Sequence, residues 1–275
     1  MSSTRETLRP GDWPGPLRRG TMRARLSSSV IGGSLGVIGL IIAWQIVGAT
    51  AFPRSHVIPT PTAILRGMSH DGWSFYWPNF HTTFSEAFKG WMFGNLLAIA
   101  VAMLFAVAPV FEKPLLQLGV ASYCLPSVAI LPIFAIVCLG QTPKVVLAAM
   151  SVFFTTLIGT LVGLKIADPI SLDVVHAYGG GLAKKLTKVR LRAALPSLFA
   201  ALRIAAPAAV LGAIIGEFLG GNSGLGVAMI NSQQALDIPR TWGIALAATG
   251  MAGVAYAITS LAGRLLTPWA PRGAR

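Results

Sequence analysis

The run VVLAAMSVFFTTLIGTLVGL, Val145 to Leu164, carries no charge over twenty residues, and soon after it the chain reads DVVHAYGGGLAKKLTKVRLRAALPS, Asp173 to Ser197. The first can cross a bilayer, because about 20 helical residues span the hydrocarbon core. The second cannot. Three consecutive glycines, a Leu-Pro and five of the chain's 22 Lys and Arg fall inside it. Apolar runs interrupted by a basic, glycine-broken insert decide the fold class: an all-α polytopic membrane protein.

Composition agrees. Of 275 residues, 54% are hydrophobic and only 11% charged, with a mean hydropathy of +0.67. A soluble domain carries about 25% charged residues, and this chain has too few polar side chains to coat a surface facing water. A charge at mid-bilayer costs about 3 kcal/mol, so charge-free runs mark the spans. They cover 28 residues from Leu26 to Pro53, 22 from Gly90 to Phe111, 30 from Pro114 to Pro143, 20 from Val145 to Leu164 and 23 from Thr241 to Gly263. A sixth, Ile204 to Gly216, has only 13, bounded by Arg203 and Glu217.

The basic residues decide in favour of six transmembrane helices. With the N-terminus inside, 17 Lys and Arg fall on the inner side and 5 at or near the outer edge, the enrichment expected of cytoplasmic loops. The same placement accounts for the net charge of +13: the cations sit at boundaries where anionic headgroups attract them. No aromatic-and-basic platform accompanies them, so nucleic acid is not an expected partner. Residues 1–25 are Arg-, Pro- and Gly-rich and are expected to form a disordered cytoplasmic tail. Residues 26–275 form the transmembrane domain, with a core of about 78–267, and the first span is expected to be retained.

Cys124 and Cys138 both fall in the third run. Fourteen residues of helix rise about 21 Å, beyond disulfide reach, so both are expected to pack. The four histidines have no metal-ligand spacing. That third run also carries Pro126 and Pro132; each removes a helix hydrogen bond and bends the span, either as a packing kink or to line a pathway.

Within the insert, Asp168-Pro169 gives an N-cap followed by proline at the first helical position. A helix from Pro169 to about Tyr178 then ends at Gly179-Gly180-Gly181, which tolerate positive φ. A second helix carries Lys184, Lys188 and Arg192 on one side and Leu182, Leu186, Val189 and Ala193 on the other, and Leu195-Pro196 closes it. The cytoplasmic loop at about 165–197 is thus helix, hinge, helix. An amphipathic loop lying on the headgroups accounts for the charge; two short helices around a glycine hinge suit docking into another protein's groove. Elsewhere, Glu217 at a membrane edge is a functional candidate. It could equally pair with an arginine and fix helix position. Asn222-Ser223-Gly224-Leu225-Gly226 is too polar to span and reads as a gate or re-entrant turn, with an ordinary loop as the alternative.

The insert resembles the EAA loop of inner-membrane permeases of binding-protein-dependent ABC importers, in particular the nitrate, sulfonate and taurine group. Asp173-Val174-Val175 occupies the E-A-A positions, Gly179 the glycine, and Val189-Arg190-Leu191 the apolar-x-Leu. ALPSLFAALRIA, Gly216-Glu217-Phe218-Leu219-Gly220, Ser223-Gly224-Leu225-Gly226, IPTPTAIL, LPSVAILPIFAIVCLG and Asp168-Pro169 extend the likeness over about residues 57–267. It departs where Asp173 replaces glutamate, Val175 replaces alanine and Arg192 stands at an expected proline.

The resemblance implies a type I importer permease in which Asp173, Val174, Val175, Gly179, Gly180, Leu191, Leu195 and Pro196 contact an ABC ATPase dimer. It also implies an extracytoplasmic solute-binding protein, a second permease copy forming a homodimer, and ATP bound by the partner rather than by this chain. Consistent with that, the chain has no G-x-x-x-x-G-K-[ST] loop, no G-x-S-x-G elbow and no H-E-x-x-H, so no catalytic residue or cofactor site is expected in it. The competing expectation is an ion-coupled secondary transporter or channel, which needs charges buried within its spans; the runs place none away from their edges.

Overall fold

The computed structural model describes residues 20–50, 58–114, 116–117 and 142–270, with the side chains of the first helix described from residue 33 onward. Among the described residues the elements are α1 Gly20–Thr50, α2 Pro61–Val107, a 3-10 turn Pro109–Phe111, α3 Thr142–Lys165, α4 Pro169–Ala177, α5 Leu182–Lys185, a π turn Leu186–Arg190, α6 Leu191–Gly220, α7 Leu225–Gln234 and α8 Ile238–Leu266. Among the described residues five helices are long and apolar enough to cross a membrane, most of the third expected span lies outside them, and the fold is an all-α polytopic one. Cys124, Pro126, Pro132 and Cys138 lie outside the described residues. Helix α1 begins at Gly20, within the stretch expected as a tail.

Residues up to Thr62 and residues from Ala63 onward form two units, each taken by itself. In the first, Gln45 Nε2 donates to Thr62 Oγ1 at 3.2 Å and the Thr62 N–H donates to Gln45 Oε1 at 3.4 Å.

In the second, α3 and α6 run antiparallel in close contact. A Cβ on Gly163 would collide with the Ala194 backbone, and one on Gly216 with Lys144. Helices in lipid associate through such close contacts, because lipid tails are as apolar as leucine and give no hydrophobic drive. Near the insert, Ala98, Ala102 and Phe105 of α2 pack on Leu157, Leu161, Leu164 and Ala194. Farther along, Thr156 Oγ1 of α3 donates to Asn95 Oδ1 of α2 at 2.5 Å. At the opposite end Ala148, Ala213, Ile214, Leu225 and Ile244 join α3, α6, α7 and α8.

Several boundaries differ from those expected. The 13-residue sixth run is the middle of a 30-residue helix, α6. Counting between charges truncates it because both flanking charges lie inside the helix, Arg203 half-buried and Glu217 only 1% exposed. Leu195-Pro196 ends nothing: Pro196 and Pro207 both sit within α6. The irregularity comes earlier, in the π turn, so the basic half of the insert runs directly into the membrane helix. Helix α2 likewise passes through Glu86 and Lys89 instead of starting at Gly90. Its break is at Gly72, with φ 70° and ψ 177°.

Candidate functional site

At the end of the bundle away from the insert, three helices converge on buried charge. Asn79, Thr83 and Glu86 stand at i, i+4 and i+7 on α2, one face of a helix. Thr83 Oγ1 donates to Glu217 Oε1 of α6 at 2.6 Å and accepts from the Leu225 N–H at 2.8 Å. The Gly226 N–H donates to Glu217 Oε2 at 2.6 Å, and the Gly224 N–H donates to Asn79 Oδ1 at 3.2 Å. Lys144 Nζ, in the first turn of α3, donates to Glu86 Oε1 at 3.1 Å. Glu86 is 0% exposed, and its Oε2 has no hydrogen-bond partner among the described residues.

The sequence of the turn is dictated by that carboxylate of Glu217. Gly224 has φ 120°, which side chains rarely adopt, and a Cβ on Gly224 or Gly226 would run into Glu217. The turn from Gly221 to Gly226 is therefore pinned to α2 through Asn79 and Thr83 and to α6 through Glu217. Gly224, Leu225 and Gly226 are buried, while Asn222 and Ser223 are exposed.

Glu217, Gly224, Leu225 and Gly226, separate candidates in the sequence, are brought together by the fold, while Ser223 is exposed. Glu86 and Lys144 are the residues that sequence reasoning missed. They put buried charge inside the bundle, Glu86 within α2 and Lys144 in the first turn of α3, where the runs placed none away from their edges. They also answer the choice left open for Glu217: its partners are a hydroxyl and a backbone amide rather than an arginine. Replacing Glu217 by Gln presents an amide N–H to one of its two donors and should leave that donor unpaired, costing about 1–3 kcal/mol. Hydrogen exchange of the 224–228 amides is expected to rise; unchanged protection would mean the turn is held by packing alone.

The first half of the insert, α4 and its glycine bend, is built as its sequence implies. Asp168 caps α4, accepting from the Ile170 and Ser171 N–H groups at 3.2 Å and from the Ser171 hydroxyl at 3.0 Å. The Ser171 hydroxyl bond, with the backbone bonds, holds its carboxyl below the usual range. The far end closes in a Schellman motif: the Gly179 N–H donates to His176 O at 2.9 Å and the Gly180 N–H to Val175 O at 2.8 Å, with Gly179 at φ 70°. Gly180 is buried against Val175.

The two valines therefore differ in role. Val175 packs inward beneath the hinge, whereas Asp173 and Val174 face outward. Ile170, Val174 and Tyr178 are 72%, 50% and 87% exposed at successive fours, an apolar ridge on α4. Leu182, expected on the inner stripe, is exposed too, as is Val189's neighbour Lys188, while Leu186, Leu191 and Pro196 are half-buried.

A third feature is a groove of about 940 Å³ between α2 and α8, walled by Trp73, Trp77, Phe80 and Phe84 on one side and Gly250 and Val254 on the other. Its lining contains no Asp, Glu, Lys or Arg. Such a face suits lipid or another apolar helix rather than an ion.

Known proteins resemble this sequence. The family described as "Binding-protein-dependent transport system inner membrane component" matches residues 94–270. A probable ABC transporter permease protein of Haemophilus influenzae is 28% identical over 200 residues, covering 72% of this chain and 81% of that protein. The formylaminopyrimidine transport permease protein ThiX of Halalkalibacterium halodurans is 28% identical over 234 residues, covering 84% of this chain and 92% of that protein. The putative aliphatic sulfonates transport permease protein SsuC of Bacillus subtilis is 26% identical over 229 residues, covering 80% and 78%. The match takes in α3 to α8 with the insert and the pinned turn between them, and on it the chain belongs to the family of binding-protein-dependent transport system inner membrane components.

Proposed function

We propose that this chain is the membrane-spanning subunit of an ATP-driven importer of a small solute. In this reading two copies form the pathway, with the N-terminus and the insert on the cytoplasmic side. A separate ATPase dimer docks on the insert, and an extracytoplasmic solute-binding protein delivers solute at the end bearing the pinned turn. The observation that carries it is the apolar ridge Ile170, Val174 and Tyr178 on a helix capped at both ends and left uncovered. Helix-in-groove recognition uses anchors at this spacing. Asp173 and Val174 lie on the same outward side, Gly179 and Gly180 fix the bend, and Leu191, Leu195 and Pro196 root the insert in α6. At the other end Glu217 with Ser223, Gly224, Leu225 and Gly226 form the gate; Pro126 and Pro132 are proposed to bend a pathway-lining span. The related permeases are named for a pyrimidine and for sulfonates, which supports a small polar solute.

Glu86, Lys144 and Glu217 favour a second reading, ion-coupled transport without an ATPase, since charges inside membranes mark ion paths. Against it, Lys144 neutralises Glu86, and Glu217 is held by two fixed donors. That arrangement suits a lock better than a route. The two readings separate by co-purification. Changing Ile170, Val174 and Tyr178 together to Ser removes three anchors of about 1.5 kcal/mol or more each and is expected to lose the ATPase from the purified complex while α2 to α8 stay folded. Retention of the ATPase by that variant would remove the ridge from the interface. Solute uptake driven by an ion gradient in vesicles holding this chain alone would favour the second reading.

A further inference from the structure

We infer that Arg190 is a positioning residue that ties the insert to the end of α2, so that movement of the insert drives α2 as well as α6. This rests on the insert being the ATPase-docking element. Of the insert's five basic residues, Lys184, Lys188 and Arg192 are exposed and Lys185 and Arg190 are half-buried. Arg190 Nη1 donates to the Ala106 carbonyl at 3.2 Å, a partner 84 positions away in sequence.

That carbonyl needs a donor from elsewhere. It lies in the last turn of α2, which stops at Val107, where a helix leaves its carbonyls without intrahelical partners. Three residues on stands Pro109, which has no N–H to give. A guanidinium there also meets the negative end of the helix dipole. The π turn supplies the aim: it ends at Arg190, and one extra residue in a turn of 3.6 rotates the side chains beyond it by about 100° relative to a regular helix.

A second contact reinforces the joint. Glu112, just past the 3-10 turn, accepts from Lys165, the last residue of α3. Phe105, Pro109, Leu164, Leu172 and Arg190 line one cavity of about 280 Å³ at this point. Leu172 belongs to α4, so the docking helix, the π turn and the ends of α2 and α3 meet in one place. A push on α4 therefore has two routes into the membrane: along α6, with which the insert is continuous, and through Arg190 into α2.

The test uses the complex recovered from cells expressing the tagged chain, with ATP and vanadate as the probe. Spin labels at Leu97 of α2 and Ile258 of α8, both exposed, report α2. Labels at Leu211 of α6, also exposed, and Ile258 report α6. In the parent both distances are expected to change on vanadate trapping. With Arg190→Met the ATPase should still co-purify and the 211–258 change should persist, while most of the 97–258 change is lost. Arg190→Lys keeps the cation and should restore part of the response.

A full α2 response in Arg190→Met overturns the inference. So does loss of the ATPase and of both distance changes in Arg190→Met with no recovery in Arg190→Lys, which would make Arg190 merely structural. If the parent complex contains no ATPase, or trapping moves neither distance, the importer reading itself falls.

Discussion

Replacing Lys144 by Met is expected to destabilise the chain by about 3–5 kcal/mol, the penalty for stripping one partner from a buried ion pair. Lys144 is nine-tenths buried and Glu86 wholly so, so the carboxylate left behind is shielded from solvent. Glu217 makes matters worse, because its carboxylate interacts directly with that of Glu86. Thermal unfolding in detergent should show the melting temperature falling by several degrees. The double variant Lys144→Met/Glu86→Leu should recover most of the loss, since exchanging a whole buried pair for apolar side chains is often neutral. A single variant that melts with the parent would mean that the pair contributes nothing and that Glu86 finds another donor.

That pair also shows where sequence reasoning stops. The apolar runs were legible because bilayer thickness imposes a length, and a length can be counted. The insert was legible because its signals are local: Asp168 caps residues two and three positions on, and Gly179 supplies the positive φ within one turn. Glu86 and Lys144 are 58 positions apart, and nothing local says that they meet. Treating each charge as a span boundary is sound for a charge facing lipid and fails for one neutralised by a neighbouring helix. For that reason α2 and α6 are both longer than the runs implied. Pro196 misleads in a related way, since proline is disfavoured inside helices in water, yet in a bundle neighbouring groups satisfy the freed carbonyl. The ridge of Ile170, Val174 and Tyr178 does have a signal, spacing by fours, but about two turns of apolar residues beside five cations are weak against the charge pattern.

Valine at Gly179 or Gly180 is expected to release the ATPase from the complex, with Gly180 the more damaging site. Gly179→Val forces a β-branched side chain to φ 70°, worth about 1–3 kcal/mol of strain. Gly180→Val drives its Cβ into the Val175 carbonyl, the same oxygen that accepts the Gly180 N–H, so the bend cannot close as it is. Either change swings α4 relative to α5 and moves Val174 and Tyr178 off a groove shaped for them. Since about 1.4 kcal/mol is tenfold in affinity, recovery of the ATPase should fall about tenfold for Gly179→Val and further for Gly180→Val. Gly181→Ala is the control: its φ is −76° and no atom lies within 4 Å of its would-be Cβ, so the ATPase should be recovered as in the parent. The contrast isolates the bend from the mere loss of glycine. Equal recovery across all three variants would show that the hinge angle does not matter to docking and would leave the ridge alone to explain it.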